Sequence, residues 1–161
     1  MSSQRGSSVQ SRLVATCAVA IILMTGCPAW AGLGGDANSI QDDQVHMQGA
    51  RRIIAAKSFT VHEIQGDSGT VVREYASGDG KVFAVTWHGP WLPDMRQILG
   101  SYFEQYRAAV QGQTTGRMAR RPVMIDQPGL LIQIGGRVRA FAGRAYIPDK
   151  LPSGVRVEDI Q

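Results

Sequence analysis

The chain reads as an α+β domain, with an antiparallel sheet made of two three-strand meanders flanking one amphipathic helix that packs on it. Two patterns carry this reading. Six runs rich in β-branched and aromatic residues are separated by short Gly-containing breaks, and between the third and fourth run apolar residues recur every three or four positions.

Before that domain comes a leader. Residues 1–12 carry Arg5 and Arg12 and no acid, and residues 13–24 carry no charge at all. This is the layout of a secretory signal, and its apolar run falls short of the roughly 20 residues a spanning helix needs. Ala29-Trp30-Ala31 offers small residues on both sides of a bulky one, which places a signal-peptidase cut after Ala31 and makes 1–31 a cleaved signal peptide. The competing reading takes Met24-Thr25-Gly26-Cys27 as a lipobox with Cys27 as the acylated residue, although Met24 stands where Leu is usual. Both cysteines, Cys17 and Cys27, precede that cut, so a chain beginning at Gly32 would have to hold together without a disulfide. The expected location is periplasmic or secreted, with membrane attachment only through Cys27.

Residues 32–57 read as an N-terminal lead-in. Its glycine-rich start, 32–39, suggests a flexible segment, and Asp42 or Asp43 could cap a short helix running toward Arg52, interrupted by Gly49. The α+β domain itself is expected over 58–161. "SFTVHEIQ" (58–65), "TVVREYAS" (70–77) and "KVFAVTWH" (81–88) are its first three strands, joined by the turn-prone 66–69 and 78–80. Neither face of 81–88 is strongly polar, so this strand belongs at the centre of the sheet.

"GPWLPDMRQILGSYFEQYRAAVQG" follows. Pro93 suits a first helical turn, Asp94 complements a helix N-terminus, and Gly112 is a stop. Met95, Ile98, Leu99, Tyr102, Phe103, Tyr106 and Val110 form one stripe on a single continuous helix, inside which Gly100 lets another backbone come close. After the polar connection 112–120 come "RPVMIDQ", "LLIQIG" and "RVRAFAGRAYI". Pro128-Gly129 makes a type II turn between the first two, and Gly135-Gly136 a two-residue hairpin between the second and third.

Charge narrows the choice of partners. The full chain has a formal net charge of +4, but part of this sits in the leader. Residues 96–144 hold eight arginines against only Glu104 and Asp126, while 32–95 are acidic on balance. Such an arginine bias fits a phosphate, an anionic headgroup or an acidic partner as well as an ordinary solvated face. Arg137, Arg139 and Arg144 are the basic residues singled out here. Nucleic acid is the least favoured partner for an exported chain.

Catalytic signatures are scarce. No G-x-S-x-G elbow and no H-E-x-x-H or H-x-x-x-H pair occurs, and the histidines are His46, His62 and His88 alone. No metal site and no cofactor is expected, and His62 and Glu63, being adjacent on a strand, would point to opposite faces. The most suggestive stretch is "TWHGPWLPD" (86–94), where Trp87, His88 and Trp91 either present rings to a ligand or fill the crevice between sheet and helix. An enzyme would have to bring His88 and Asp94 together there.

The blocks "FTVHEIQ", "VVREYAS", "GKVFAVTWHGPWLPDMRQILGSYFEQY" and "GGRVRAFAGRAYIPDKLPSGVRVEDI" together resemble a family of uncharacterised exported proteins of Gram-negative bacteria, a domain of unknown function. The resemblance begins near Leu33 and implies a mature start close to Ala31. It implies no activity, cofactor or catalytic residue. His often follows the Gly-Gly pair in that pattern, and this chain has Arg137 there. The combined expectation is a small exported, non-enzymatic domain that binds an envelope protein or a small ligand. The alternatives are an envelope-acting enzyme at the 87–94 junction and an assembly factor anchored at Cys27.

Overall fold

The computed structural model describes residues 32–37, 40–113 and 122–161. The leader with Cys27 and Ala31, and the polar connection over 114–121, lie outside the described residues. Among the described residues no helix is long and apolar enough to cross a membrane.

One antiparallel sheet organises the chain. Its strands are β1 (Ala50–Ala55), β2 (Phe59–Gln65), β3 (Val71–Ser77), β4 (Val82–Gly89), β5 (Val123–Gln127), β6 (Leu130–Arg137) and β7 (Ala140–Tyr146), in the order β1-β2-β3-β4-β7-β6-β5. β4 is central, as its two apolar faces require, and six consecutive residues from Val82 to Trp87 are buried. Six strands fall on the six expected runs.

The seventh, β1, differs from the expectation. The helix near Asp42, here α1 (Ile40–His46), stops well short of Arg52, because Gln48 takes a positive φ and Gly49 packs against the Gln65 carbonyl. Arg51 and Arg52 therefore sit in a strand, and Asp43 is inside the helix and buried rather than at its cap. Nor are residues 32–37 loose. Leu33 donates its N–H to Ile98 O at 2.9 Å, Gly34 donates to Val82 O at 2.8 Å, and the Leu33 side chain lies in the core.

The expected single helix is broken in two. α2 (Met95–Leu99) ends at Gly100, whose φ of 52° and ψ of −124° are open to glycine and costly for other residues. A 3₁₀ turn over Gly100–Tyr102 then leads into α3 (Phe103–Gln113). Asp94 is the N-cap of α2, its Oδ1 accepting from Arg96 N at 2.8 Å and Gln97 N at 3.3 Å. The break re-aims the chain without losing the stripe: Met95, Ile98 and Leu99 are buried, while Tyr102, Phe103, Tyr106 and Val110 pack against the same core.

Pro128-Gly129 forms its turn with Gly129 at φ 73°. The hairpin of β6 and β7 turns instead at Val138-Arg139, with Arg139 at φ 64°, and Gly135-Gly136 lie within β6. Gly136 is there because a Cβ would run into the Ala140 carbonyl of the paired strand.

The sheet divides two clusters. On one face Ile64, Val72, Val85, Trp87, Leu130, Ile132 and Ala145 meet Leu33, Ile40 and the helices. On the other, Val61, Tyr75, Phe83, Ala84 and Tyr146 are covered by Leu151, Val155, Val157 and Ile160 from the C-terminal segment. Among the described residues, that segment covers only part of its face.

Candidate binding cavity on the open sheet face

A hollow of about 460 Å³ lies on that second face. Its origin can be read from the register. Ala142 of β7 pairs with His88 of β4 and with Gly135 of β6, so two neighbouring strands carry almost no side chain at the same level. A Cβ built on Gly135 would meet nothing within 4 Å. Met124 contributes apolar wall, and Ile160 and Gln161 close the side nearest the C-terminal segment.

The adjacent level is polar. Cross-strand partners Arg52, Glu63, Arg73, Thr86, Arg144, Gln133 and Met124 follow one another across all seven strands. Glu63 bridges Arg52 at 2.8 Å and Arg73 at 2.7 Å, and the hydrogen bond from Arg73, with the charge of Arg52 behind it, holds the Glu63 carboxyl below its ordinary range. Arg73 also donates to Gln161 O at 2.9 Å, and Tyr75 Oη accepts from Gln161 N at 3.0 Å, which fixes the C-terminal segment beside the hollow. Arg144 is half-buried. It donates through Nε to Gln133 Oε1 at 2.8 Å and through Nη1 to Val157 O at 3.1 Å, both neutral acceptors. Thr86 is 4% exposed, and its Oγ1 has no hydrogen-bond partner among the described residues.

The sequence-predicted residues separate. His88 is exposed and lines this hollow, whereas Trp87, its neighbour on β4, borders it with backbone and buries its ring in the core of the opposite face. The Trp87 ring lies over Gly143, where a Cβ would fall 2.6 Å from Cε2. Trp87 thus fills core as the structural alternative held, but Trp91 does not, being 57% exposed. Trp91 and Asp94 line a different hollow of about 240 Å³ with His46, Thr70 and Gln97. His88 and Asp94 are therefore not brought together, because the turn after β4 carries Asp94 away to cap α2. Arg137 and Arg139 are exposed at the β6–β7 tip and do not line the hollow, since the hairpin extends beyond it. Thr86, Gly135 and Ala142 went unnoticed in the sequence. Small residues at alternating strand positions are the signal, legible only once the register is known.

A second constellation is buried on the helix side. Glu74 of β3 is wholly enclosed and Asp43 of α1 nearly so, and Gln97 Nε2 donates to Asp43 Oδ1 at 2.7 Å. Asp43 Oδ2 and both Glu74 carboxyl oxygens have no donor from another group among the described residues. Burial pushes the Glu74 carboxyl well above its ordinary range, the charge of Asp43 beside it acts in the same direction, and burial raises Asp43 as well. Beside them His62 is held neutral by burial and by Arg51. No trio of His, Cys, Asp or Glu among the described residues is arranged to hold a metal ion.

No curated protein and no solved structure matches the chain. The family described as "Protein of unknown function (DUF2844)" matches residues 29–160, which takes in every strand of the sheet. The match spans most of the sequence, and the chain belongs to that family of unknown function.

Proposed function

We propose that this chain is an exported, non-enzymatic binding domain whose site is the cavity on the open sheet face. The observation that carries the reading is the hollow itself: about 460 Å³, within the range of small-molecule sites, floored by Gly135 and Ala142 and lined by more apolar than polar surface. A small ligand fits this concavity better than a flat protein partner does. The separation of His88 from Asp94 removes the support for an enzyme at the 87–94 junction. Export rests on the charge and hydropathy pattern of residues 1–31, and periplasmic or secreted release follows from a cut after Ala31.

Gly135→Leu is the direct test of the cavity. The new side chain starts in open space and the backbone φ is not positive, so the variant should melt like the parent while filling the hollow. Binding of the neutral fluorophore N-phenyl-1-naphthylamine, followed by its emission increase, is expected to fall at least tenfold. Equal binding by parent and variant would remove the cavity from consideration. For export, the intact mass of protein recovered from a fractionated exporting host is expected to start at Gly32 in the soluble fraction. A detergent-requiring species starting at Cys27 with added acyl mass would replace that reading with a tethered one.

A further inference from the structure

We infer that the ligand of the open-face cavity is an amphiphile with a single anionic head group, a carboxylate or a phosphate, bound by Arg144 and Thr86; this rests on the cavity being a binding site.

The charge distribution along the row points to it. Arg52 and Arg73 share Glu63, so their end of the row has its counter-charge on the protein. Across Thr86, Arg144 has none. Its acceptors are an amide and a backbone carbonyl, and no carboxylate lies within ion-pair reach of it among the described residues. A guanidinium has five N–H donors in a planar fork, and the two bonds seen here hold that fork in place and leave donors over.

Thr86 supplies a second, independent sign. It is the direct cross-strand partner of Arg144, so their Cβ atoms lie about 5 Å apart on the same face. Its hydroxyl is enclosed, unpartnered, and borders the hollow. A buried hydroxyl left without a partner is unfavourable, and an anionic oxygen seated at Arg144 would accept its proton. Beyond this polar end the wall becomes apolar through Met124, Ala142 and Ile160. One positive group and one free hydroxyl at the edge of an apolar hollow match an anion on an apolar body, and mismatch a sugar, which would need polar groups all round.

The experiment is calorimetric titration of the protein, at fixed ionic strength, with decanoate, decyl phosphate and decanol, three ligands that share a tail and differ in the head. At least one anion should bind ten times more tightly than decanol, and the tighter of the two identifies the head as carboxylate or phosphate. Arg144→Gln should bring the anions to the level of decanol and leave decanol unchanged, whereas Arg144→Lys should retain part of the preference. Thr86→Val, nearly isosteric, should weaken the anions several-fold without altering decanol, and it serves if Arg144→Gln fails to fold. If decanol binds as well as the anions and Gly135→Leu abolishes all three, the cavity stands and the anionic head is refuted. An anion preference that survives in both Arg144→Gln and Thr86→Val refutes it as well. If none of the three binds, or Gly135→Leu changes nothing, the binding cavity itself falls, and the head-group assignment with it.

Discussion

Glu74 and Gly143 show how far single positions are constrained by what faces them. The Glu74 proton is retained in the folded chain above the pH at which it leaves the unfolded one, near 4.5. Below that value both states hold the proton and the contribution to stability is fully present. As pH rises toward the raised folded value, the unfolded state binds fewer protons, and stability is lost at up to about 1.4 kcal/mol per pH unit. Asp42 adds to this effect near Asp43, while His46 and Arg51 oppose it. Glu74→Gln keeps a donor for Asp43 and removes the titration. Its thermal midpoint should decline less than the parent's from mildly acidic to alkaline pH, and an unchanged slope would mean that Glu74 is not the group behind the decline. Gly143 is fixed by contact alone. A Cβ there would sit against the Trp87 ring and 2.7 Å from Gln133 O, so Gly143→Ala should cost about 1–3 kcal/mol in urea unfolding and alter the near-ultraviolet tryptophan signal.

At the level of elements, Gly100 reverses an expectation. In a continuous helix, Gly→Ala would stabilise by about 1 kcal/mol. At φ 52° and ψ −124° the same change should destabilise by about 1–3 kcal/mol, and the sign of the shift in chemical denaturation decides between the two geometries. Periodicity reports which face a residue is on, and Met95 to Val110 keep their face through the break, so the break leaves no mark in the pattern. The same limit explains the other differences. Gly135-Gly136 looks like a turn because glycine suits turns, yet here Gly136 serves the closeness of β6 to β7 while Gly135 leaves the hollow open. β1 is an edge strand, exposed along nearly its whole length, and "ARRIIA" has neither the alternation nor the burial that marks a half-buried strand. The six better strands were legible because their apolar residues are needed on a covered face and their boundaries are glycines. The site was legible only in part. Trp87 and His88 stand on one strand and are noticed together, whereas the row from Arg52 to Met124 comes from seven strands and exists only in the paired sheet.

Considered as a whole, the sheet has one covered face and, among the described residues, one half-covered face, and the hollow is the uncovered remainder. Its position follows from the C-terminal segment, which is fastened at Tyr75, Arg73 and Arg144 and ends beside the hollow. At the edges, β1 carries Arg51 and Arg52 next to the exposed Ile53 and Ile54, and these charges discourage pairing with another chain's edge. The strand order has a kinetic meaning too. β1 to β4 can pair with their sequence neighbours as soon as they leave the ribosome or a translocation channel, but the free side of β4 waits for β7, the last strand of the sheet to emerge. Until then the most apolar strand of the domain has an open edge. Closing that edge requires a contact far apart in sequence, so the decisive folding step falls late, after nearly all of the chain has been delivered, and the half-made sheet is the species most exposed to aggregation.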